Sequence, residues 1–552
     1  MPDMEFNNTM PSEATQVEED IYDVLIVGAG PCGLAIAARL REHTPAALFT
    51  DEEHRRFHWI SKYGNKVTLK NARSGKISSG RKPTRQPEYK MLVLDADDSN
   101  WMGRWNRLFK MYDISHLRSP MLWHVDPLDR DALLAHAYAN EREDELVEIR
   151  NCVGKEISKH AKKKTTGQRI IGRRKEARID INLRERNDYY NPSTSLFGDH
   201  CEKVAARYRL GTEMIRKEAL EHLDYGEVKG ISIDGEKLFT VTSNKVRRYA
   251  RTVVLAVGPA NVAKIPRIPS MPVVEKLPQA CHSMHIAEFP DPVVMSRMAA
   301  RKPTNILVVG GGLTSAQLAD LAIRKGVTKV WHMMRGPMRI KHFDVSLDWM
   351  GKYKNTKHSQ FWLADSDDER LEIMKEARGG GSITPVFHKR LKKHLSTKKL
   401  ELFTETSLVD AKFEGVDGDG TWTVQTDPPI EGLPPMDYLY FATGIQTEFT
   451  SLPYLRTIMD KHPIEGRGGF PCINNDLMWN DDVPLFMMGR LAALRLGPAA
   501  PNLGGAQVGA ERVAWAIEDL VPRPGAKEES RDEHRAGYLS GHGNMYSSLV
   551  CE

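Results

Sequence analysis

Two glycine-rich turns carry the clearest chemistry in this chain, and both follow short apolar runs. The first is Gly28-Ala29-Gly30-Pro31-Cys32-Gly33, which comes directly after the apolar run 24–27, VLIV. A fully apolar run of this length reads as a buried parallel strand, and the LAIAARLREH that follows has helical periodicity. In such a strand–turn–helix, Gly28 permits the tight turn and Gly30 lets the backbone approach a pyrophosphate. Gly33 lets helix and strand pack closely. The free N–H groups and positive dipole end of the helix then face the phosphates. The next strand is expected at AALFT, 46–50, ending at Asp51-Glu52-Glu53, where a carboxylate accepts hydrogen bonds from ribose hydroxyls.

The second turn, Gly310-Gly311-Gly312-Leu313-Thr314-Ser315, sits between NILVV and SAQLADLAIRKG. Ser315 replaces the third glycine and is small enough for nearly the same packing. The following strand, VTKVWHMM, ends at Arg335, and no carboxylate occurs from Thr328 to Phe343. Lys329, Arg335, Arg339 and Lys341 lie there instead. An acid at this point binds a ribose 2′-hydroxyl, whereas a cation accommodates a 2′-phosphate. The second cradle is therefore expected to take NADPH, with Arg335 as the phosphate contact. The two cradles differ in ribose chemistry, which points to two dinucleotides: FAD in the first and NADPH in the second.

The elements around the cradles set the architecture. The chain has 552 residues, 41% hydrophobic and 27% charged, which suits a globular protein of more than one domain. The expected fold is α/β: two Rossmann-like dinucleotide-binding domains, the NADPH domain inserted in the FAD domain. Residues 1–20 are expected to be disordered, 21–300 to form the first part of the FAD domain and 301–430 the NADPH domain. Residues 431–522 return to the FAD domain, and 523–552 form a disordered tail. Within the first part, a basic insertion spans about 155–190. Residues 155–178 hold ten Lys/Arg against two Glu, an excess of +8 in a chain whose net charge is +5. No aromatic residues interleave with this run, so it reads as a solvated insertion, and no nucleic-acid partner is expected. No run of eighteen apolar residues is present to span a membrane, and the acidic, polar start does not read as a secretory signal.

Six cysteines, at 32, 152, 201, 281, 472 and 551, include no CxxC pair and no zinc spacing. This usage fits a reducing, cytoplasmic setting, offers no redox dithiol, and leads us to expect no metal site.

Two later runs, 252–260 (TVVLAVGPA) and 437–444 (DYLYFATG), are apolar strands that end at a glycine. With the cradles, they resemble the two-dinucleotide-domain flavin monooxygenases and their reductase relatives, in which such strands mark the crossings between the two domains. The spacing from Asp437 to Phe441-Ala442-Thr443-Gly444 is similar to that of the branch that N-hydroxylates the side-chain amines of ornithine and lysine, although Ile445 stands where that branch usually has Tyr. The FxGxxxH fingerprint of other flavin monooxygenases is absent, and only His282-Ser283 preserves a fragment. The resemblance implies that Thr443 and Gly444 lie at the cofactor crossing and Gly489 near the flavin. It also implies that the last helix points its N-terminus, at Asn502 and Leu503, toward the flavin ring. Lys70 and Asn71 fall where the family lines the flavin face, and His116, Arg118, Trp123, His124 and Asp126 are candidates for substrate or cofactor contact. His282 and His285 are weaker candidates of the same kind.

The expected reaction is hydride transfer from NADPH to FAD, followed by insertion of one oxygen atom of O2 into a small molecule, with amine N-hydroxylation leading. Two alternatives stay open: an NAD(P)H-dependent flavin oxidoreductase without oxygen insertion, and a regulatory flavoprotein of the oxidative-stress growth inhibitor type. A homo-oligomer is also open.

Overall fold

The computed structural model describes residues 16–63, 68–70, 77–79, 88–150, 152, 183–258, 263–272, 277–351 and 354–521. The basic run 155–178, the tail 523–552 and Asn71 lie outside these residues.

Two sheets organise the chain. The first contains β1 (Gln16–Val27), β2 (Met91–Asp95), β3 (Ile215–Lys217), β4 (Leu220–Glu227), β5 (Lys237–Ser243) and β6 (Val246–Leu255). The second contains β7 (Ala280–His282), β8 (Asn305–Val309), β9 (Lys329–Met333), β10 (Leu400–Phe403) and, past a hairpin of β11 (Ser407–Glu414) and β12 (Thr421–Asp427), β13 (Tyr438–Phe441). The chain then returns to the first sheet with β14 (Met478–Asn480) and β15 (Val483–Met487).

The strand order of the first sheet is β14-β15-β6-β1-β2-β3, with β5 and β4 continuing antiparallel from β6. From β15 through β3 all neighbours are parallel. The second sheet runs β7-β13-β8-β9-β10 and is parallel throughout. Every strand of the second sheet falls between β6 and β14 in sequence, and it draws β7 and β13 from outside the expected 301–430 span.

Central strands covered on both faces need apolar side chains throughout. Val24, Leu25 and Ile26 are fully buried, as are Ile306, Leu307 and Val308. The helices that follow are α1 (Pro31–Arg41) and α3 (Leu313–Arg324), and each is buried along most of its length. Between them in sequence lies α2 (Asp51–Tyr63). Helices α4 (Asp367–Arg378) and α5 (Pro385–Ser396) flank the second sheet's later strands, and α6 (Leu503–Leu520) closes the chain. The Gly379–Gly381 run ends α4 with Gly379 at φ +61°, and Thr384 caps α5 by accepting the Phe387 N–H.

Three expectations differ from the structure. Residues 46–50 form no strand; Ala46 and Ala47 donate instead to the Pro127 carbonyl. The strand beside β1 is β2, more than forty residues later, so Asp51 starts a helix and does not end a strand. The expected disorder of 1–20 also fails from Gln16 onward. Gln16 and Val17 pair with Val246 and Arg247, and Glu18 is held by Arg248 at 2.8 Å.

Helices α1 and α6 are locked by a buried two-point ion pair. Arg39, 3% exposed, donates Nε and Nη2 to the two carboxylate oxygens of Glu511 at 2.7 and 3.0 Å. Removing Glu511 leaves the buried Arg39 with only its longer carboxylate contact, to Glu518 at 3.5 Å. Glu511→Ala is therefore expected to lower unfolding free energy by up to about 3–5 kcal/mol, read by urea denaturation of the full-length protein.

Candidate functional site

Each sheet carries the same turn at its topological switch point, where the strand order reverses and a crevice opens beyond the strand ends. At the first, the Gly28 N–H donates to Leu94 of β2, and the Ala256 N–H, just past β6, donates to Val27. At the second, Gly310 donates to Met333 of β9, and Ala442, just past β13, donates to Val309. Gly28 has φ +110°, and a Cβ there would stand 2.4 Å from the Ala256 carbonyl oxygen. Gly310 has φ +151°, and its Cβ would stand 2.3 Å from the Ala442 oxygen. Neither position tolerates a side chain in conformation or in space.

The first turn fits a pyrophosphate. A Cβ on Gly30 would meet nothing within 4 Å, so the backbone there faces open space, whereas one on Gly33 would collide with the Gly28 oxygen. Gly30 is the N-cap of α1, with no side-chain cap and with Pro31 in the first turn. The N–H groups of that turn are thus not consumed by a capping side chain. Cys32 is half-buried, its thiol pushed up to about 12 by desolvation, and its Sγ lies 3.2 Å from where a Gly489 Cβ would sit. The end of β15 is thereby brought against the start of α1. The closing helix α6 starts at Asn502-Leu503, also without a side-chain cap, and the Trp123 indole lies against its Gly504.

The matched hydrogen bonds show which strand ends are equivalent in the two cradles. Leu94 corresponds to Met333, so Asp95 leaves the first sheet at the level where Met334-Arg335 leaves the second. Asp95 accepts the Ala29 N–H at 2.7 Å and the N–H groups of Asp97 and Asp98 at 2.9 and 3.1 Å. The acid at the end of the strand beside β1 is Asp95, while the expected Asp51 pairs with Arg130. The run MLVLD was an available signal, an apolar strand ending in an acid, but it lies outside the usual spacing of about twenty residues. Arg335 is exposed at the end of β9. Lys329 is engaged with Glu401 at 3.0 Å, and Lys341 donates to the Arg378 carbonyl.

The second turn differs from the first in two ways. Ser315 is fully buried and donates its hydroxyl to the Gly312 carbonyl at 2.7 Å, so it braces the turn from behind. Gly381 lies against the outer side: a Cβ on it would be 3.1 Å from the Gly312 nitrogen. A dinucleotide at Gly312 requires the 379–381 turn to shift.

The segments that cross between the sheets are stitched together. Lys264 N–H donates to Gly444, which has φ +85°; the Thr443 hydroxyl donates to Lys264; and Ala263 bridges Ile445. Arg490, next to Gly489, donates to Thr447 and the Ile445 carbonyl. Asp437 sits at the opposite end of β13, taking the Asn305 N–H at 2.6 Å and Arg297 at 2.9 Å, so the motif's acid is structural.

Of the remaining candidates, Arg118 is committed to the second sheet's side of the molecule. It donates to the carbonyls of His342 and Lys341 and to the Ser382 hydroxyl, and it pairs with Asp344. Asn502 faces Asp344 and Arg378 at 3.4 and 3.5 Å. His124 and Asp126 are fully buried structural groups. His124 accepts the Asp126 N–H and meets the Arg130 carbonyl, while Asp126 pairs with Arg207. His116 bonds Ser115, His285 is exposed, and Lys70 ends the short strand Thr68–Lys70. These residues do not converge on one catalytic cluster.

Neither a protein-family model nor a curated protein matches the sequence. Solved structures do match in fold. The FAD-bound cadaverine monooxygenase of desferrioxamine biosynthesis from Erwinia amylovora aligns at TM-score 0.54 and 15% identity, over 93% of this chain and 98% of that one. The ornithine N-hydroxylase of Kutzneria sp. 744, solved with reduced FAD, NADP+ and L-ornithine, aligns at 0.55 and 14%, over 90% and 99%. The ornithine hydroxylase of Pseudomonas aeruginosa aligns at 0.53 and 14%, over 91% and 100%. The chain has the two-dinucleotide-domain α/β fold of these flavin-dependent enzymes.

Two histidines support the second cradle from inside. His332, fully buried on β9, meets the Gly310 carbonyl at 2.9 Å through Nε2, and His282, 1% exposed, accepts the Met284 N–H. Burial lowers both to about 4, with the backbone of Gly310 and of Gly444 offsetting part of the effect. Both are neutral in the folded protein, while in the unfolded chain they take up protons near pH 6.5. Stability is therefore complete above pH 6.5 and falls as pH drops toward 4, by up to about 1.4 kcal/mol per pH unit per histidine. Urea denaturation at pH 7 and 5 is expected to show this loss, with a shallower slope in His332→Asn.

Proposed function

We propose that this protein is an NADPH-dependent FAD monooxygenase that inserts one atom of O2 into a small molecule, and that its reaction is amine N-hydroxylation. The observation that carries this reading is the pair of equivalent glycine turns at the switch points of two parallel sheets, one with an acid at the ribose position and one with a cation. The fold likeness to a cadaverine monooxygenase and two ornithine hydroxylases supports the choice of reaction.

When bound, FAD and NADPH supply the hydride and oxygen chemistry, and the protein's task is to bind and orient. In the first cradle, Gly28, Gly30, Pro31, Cys32 and Gly33 shape the pyrophosphate site, and Asp95, in place of Asp51, faces the ribose. Gly489, Asn502 and Leu503 close that site from the C-terminal side, with Thr443 and Gly444 at the crossing. In the second cradle, Gly310, Gly312 and Ser315 shape the turn, and Arg335 is placed for a 2′-phosphate. Burial and the nearby Arg378, which itself contacts Asn502, lower the Arg490 pKa while the guanidinium stays charged, so this end of the crevice is positive.

The test is purified protein with NADPH, air and cadaverine, ornithine or lysine, following the flavin spectrum and hydroxylamine product. Product formation coupled to NADPH consumption is expected. Turnover of an added electron acceptor alone identifies a reductase, and a preparation that takes up no FAD ends the reading. Gly310→Ala is expected to retain FAD yet raise the KM for NADPH at least about tenfold, from backbone strain of ~1–3 kcal/mol. Arg335→Ala is expected to cut the preference for NADPH over NADH about tenfold to hundredfold, the worth of a charge-assisted hydrogen bond.

A further inference from the structure

Helix α2 carries His54 and His58 one turn apart, so both rings project from one face. Their centroids are 4.4 Å apart. Facing them is the loop through Asp129 and Asp131. The Asp129 carboxylate lies 2.6 Å from His58 Nε2 through Oδ2 and 3.7 Å from His54 Nδ1 through Oδ1. The Asp131 carboxylate lies 3.3 Å from His54 Nε2. His54, His58 and Asp129 each present a ligand atom within 4.8 Å of the others. We propose that these three residues form a zinc-binding site that staples α2 to the 127–131 loop, with Asp131 against the other ring nitrogen of His54.

The donor set selects the metal. Two imidazoles and a carboxylate suit zinc and its late transition-metal neighbours, whereas magnesium and calcium require mostly oxygen ligands. Around a tetrahedral zinc with bonds of about 2.0–2.2 Å, ligand atoms stand about 3.4 Å apart. The observed separations bracket that value, so side-chain adjustments suffice. The frame is also built independently of any ion. Phe57 on α2 is buried against Ala46 and Phe49, and Ala46 and Ala47 donate to the Pro127 carbonyl at 3.0 and 3.1 Å. The Asp131 N–H donates to Asp129 Oδ1 at 2.7 Å, which orients the carboxylate toward the helix. His58 is 54% exposed at the side chain, leaving an open approach for the ion. The site was not legible in sequence because its third ligand lies some seventy residues from the His pair, and the proposal departs from the expectation of no metal.

The experiment is titration of chelator-treated, full-length protein with Zn2+ alone by calorimetry, and with Co2+ alone by visible absorption. One equivalent is expected to bind with the spectrum of a four-coordinate nitrogen–oxygen site, and Zn2+ is expected to raise Tm. His58→Gln and Asp129→Asn are each expected to weaken binding at least about tenfold and to abolish the Tm shift, while excess Mg2+ does not compete. Equal zinc affinity in the wild type and both variants, or no binding and no Tm shift in the wild type, overturns the proposal. Should one variant fail to fold, the other decides, and a wild-type Co2+ spectrum showing sulfur ligation also overturns it.

Discussion

A glycine held at positive φ against the carbonyl of a neighbouring strand is the constraint on which this molecule depends, and it occurs twice. Gly28 presses on Ala256 and Gly310 on Ala442, with a side chain excluded in each case by about 2.4 Å of available space. The close approach lets each helix start directly behind the strand end, with no side-chain cap over its first N–H groups. The strand ends that lead into the turns are apolar, Val24–Val27 and Ile306–Val309, and the helices are buried along most of their length.

Apolar packing joins the two halves, with Phe343, Trp349 and Phe361 in the first sheet's core and Tyr112 in the second's, and hydrogen bonds orient them. The outgoing and returning segments pair at Ala263–Lys264 and Thr443–Ile445, Arg490 ties the returning segment to the end of β15, and Arg118 reaches across to four groups beyond the second cradle. Contacts of this kind are directional, so they set an orientation that burial alone leaves loose. The buried Arg39–Glu511 pair does the same for the two helices that flank the first cradle.

Much of the fold was legible because it is local. An apolar run, three small residues and a helical repeat specify each cradle within about twenty residues. The failures share a cause. Spacing to Asp51 assumed that the strand after α1 is also its neighbour in the sheet, whereas residues 44–90 intervene and β2 takes that place. Arg118, His124 and Asp126 looked like ligand contacts because charged and aromatic residues crowd that segment. In the fold, Arg118 and Asp126 find distant partners, Asp344, Ser382 and Arg207, whereas His124 is held by its near neighbours Asp126 and Arg130. No single-sequence pattern encodes those pairings. The acid Asp95 was visible as a residue type, but its role required knowing which strand lies beside β1.

The Gly379–Gly381 turn rests on the second cradle, and the residue immediately after it, Ser382, is gripped by Arg118 from the other half of the molecule. Anything that lifts this flap to reach the Gly312 backbone strains that grip, and anything that tightens the grip holds the flap down. The backbone beside the Gly312 turn is thus tethered, through a single serine, to a residue that precedes it by more than 260 positions.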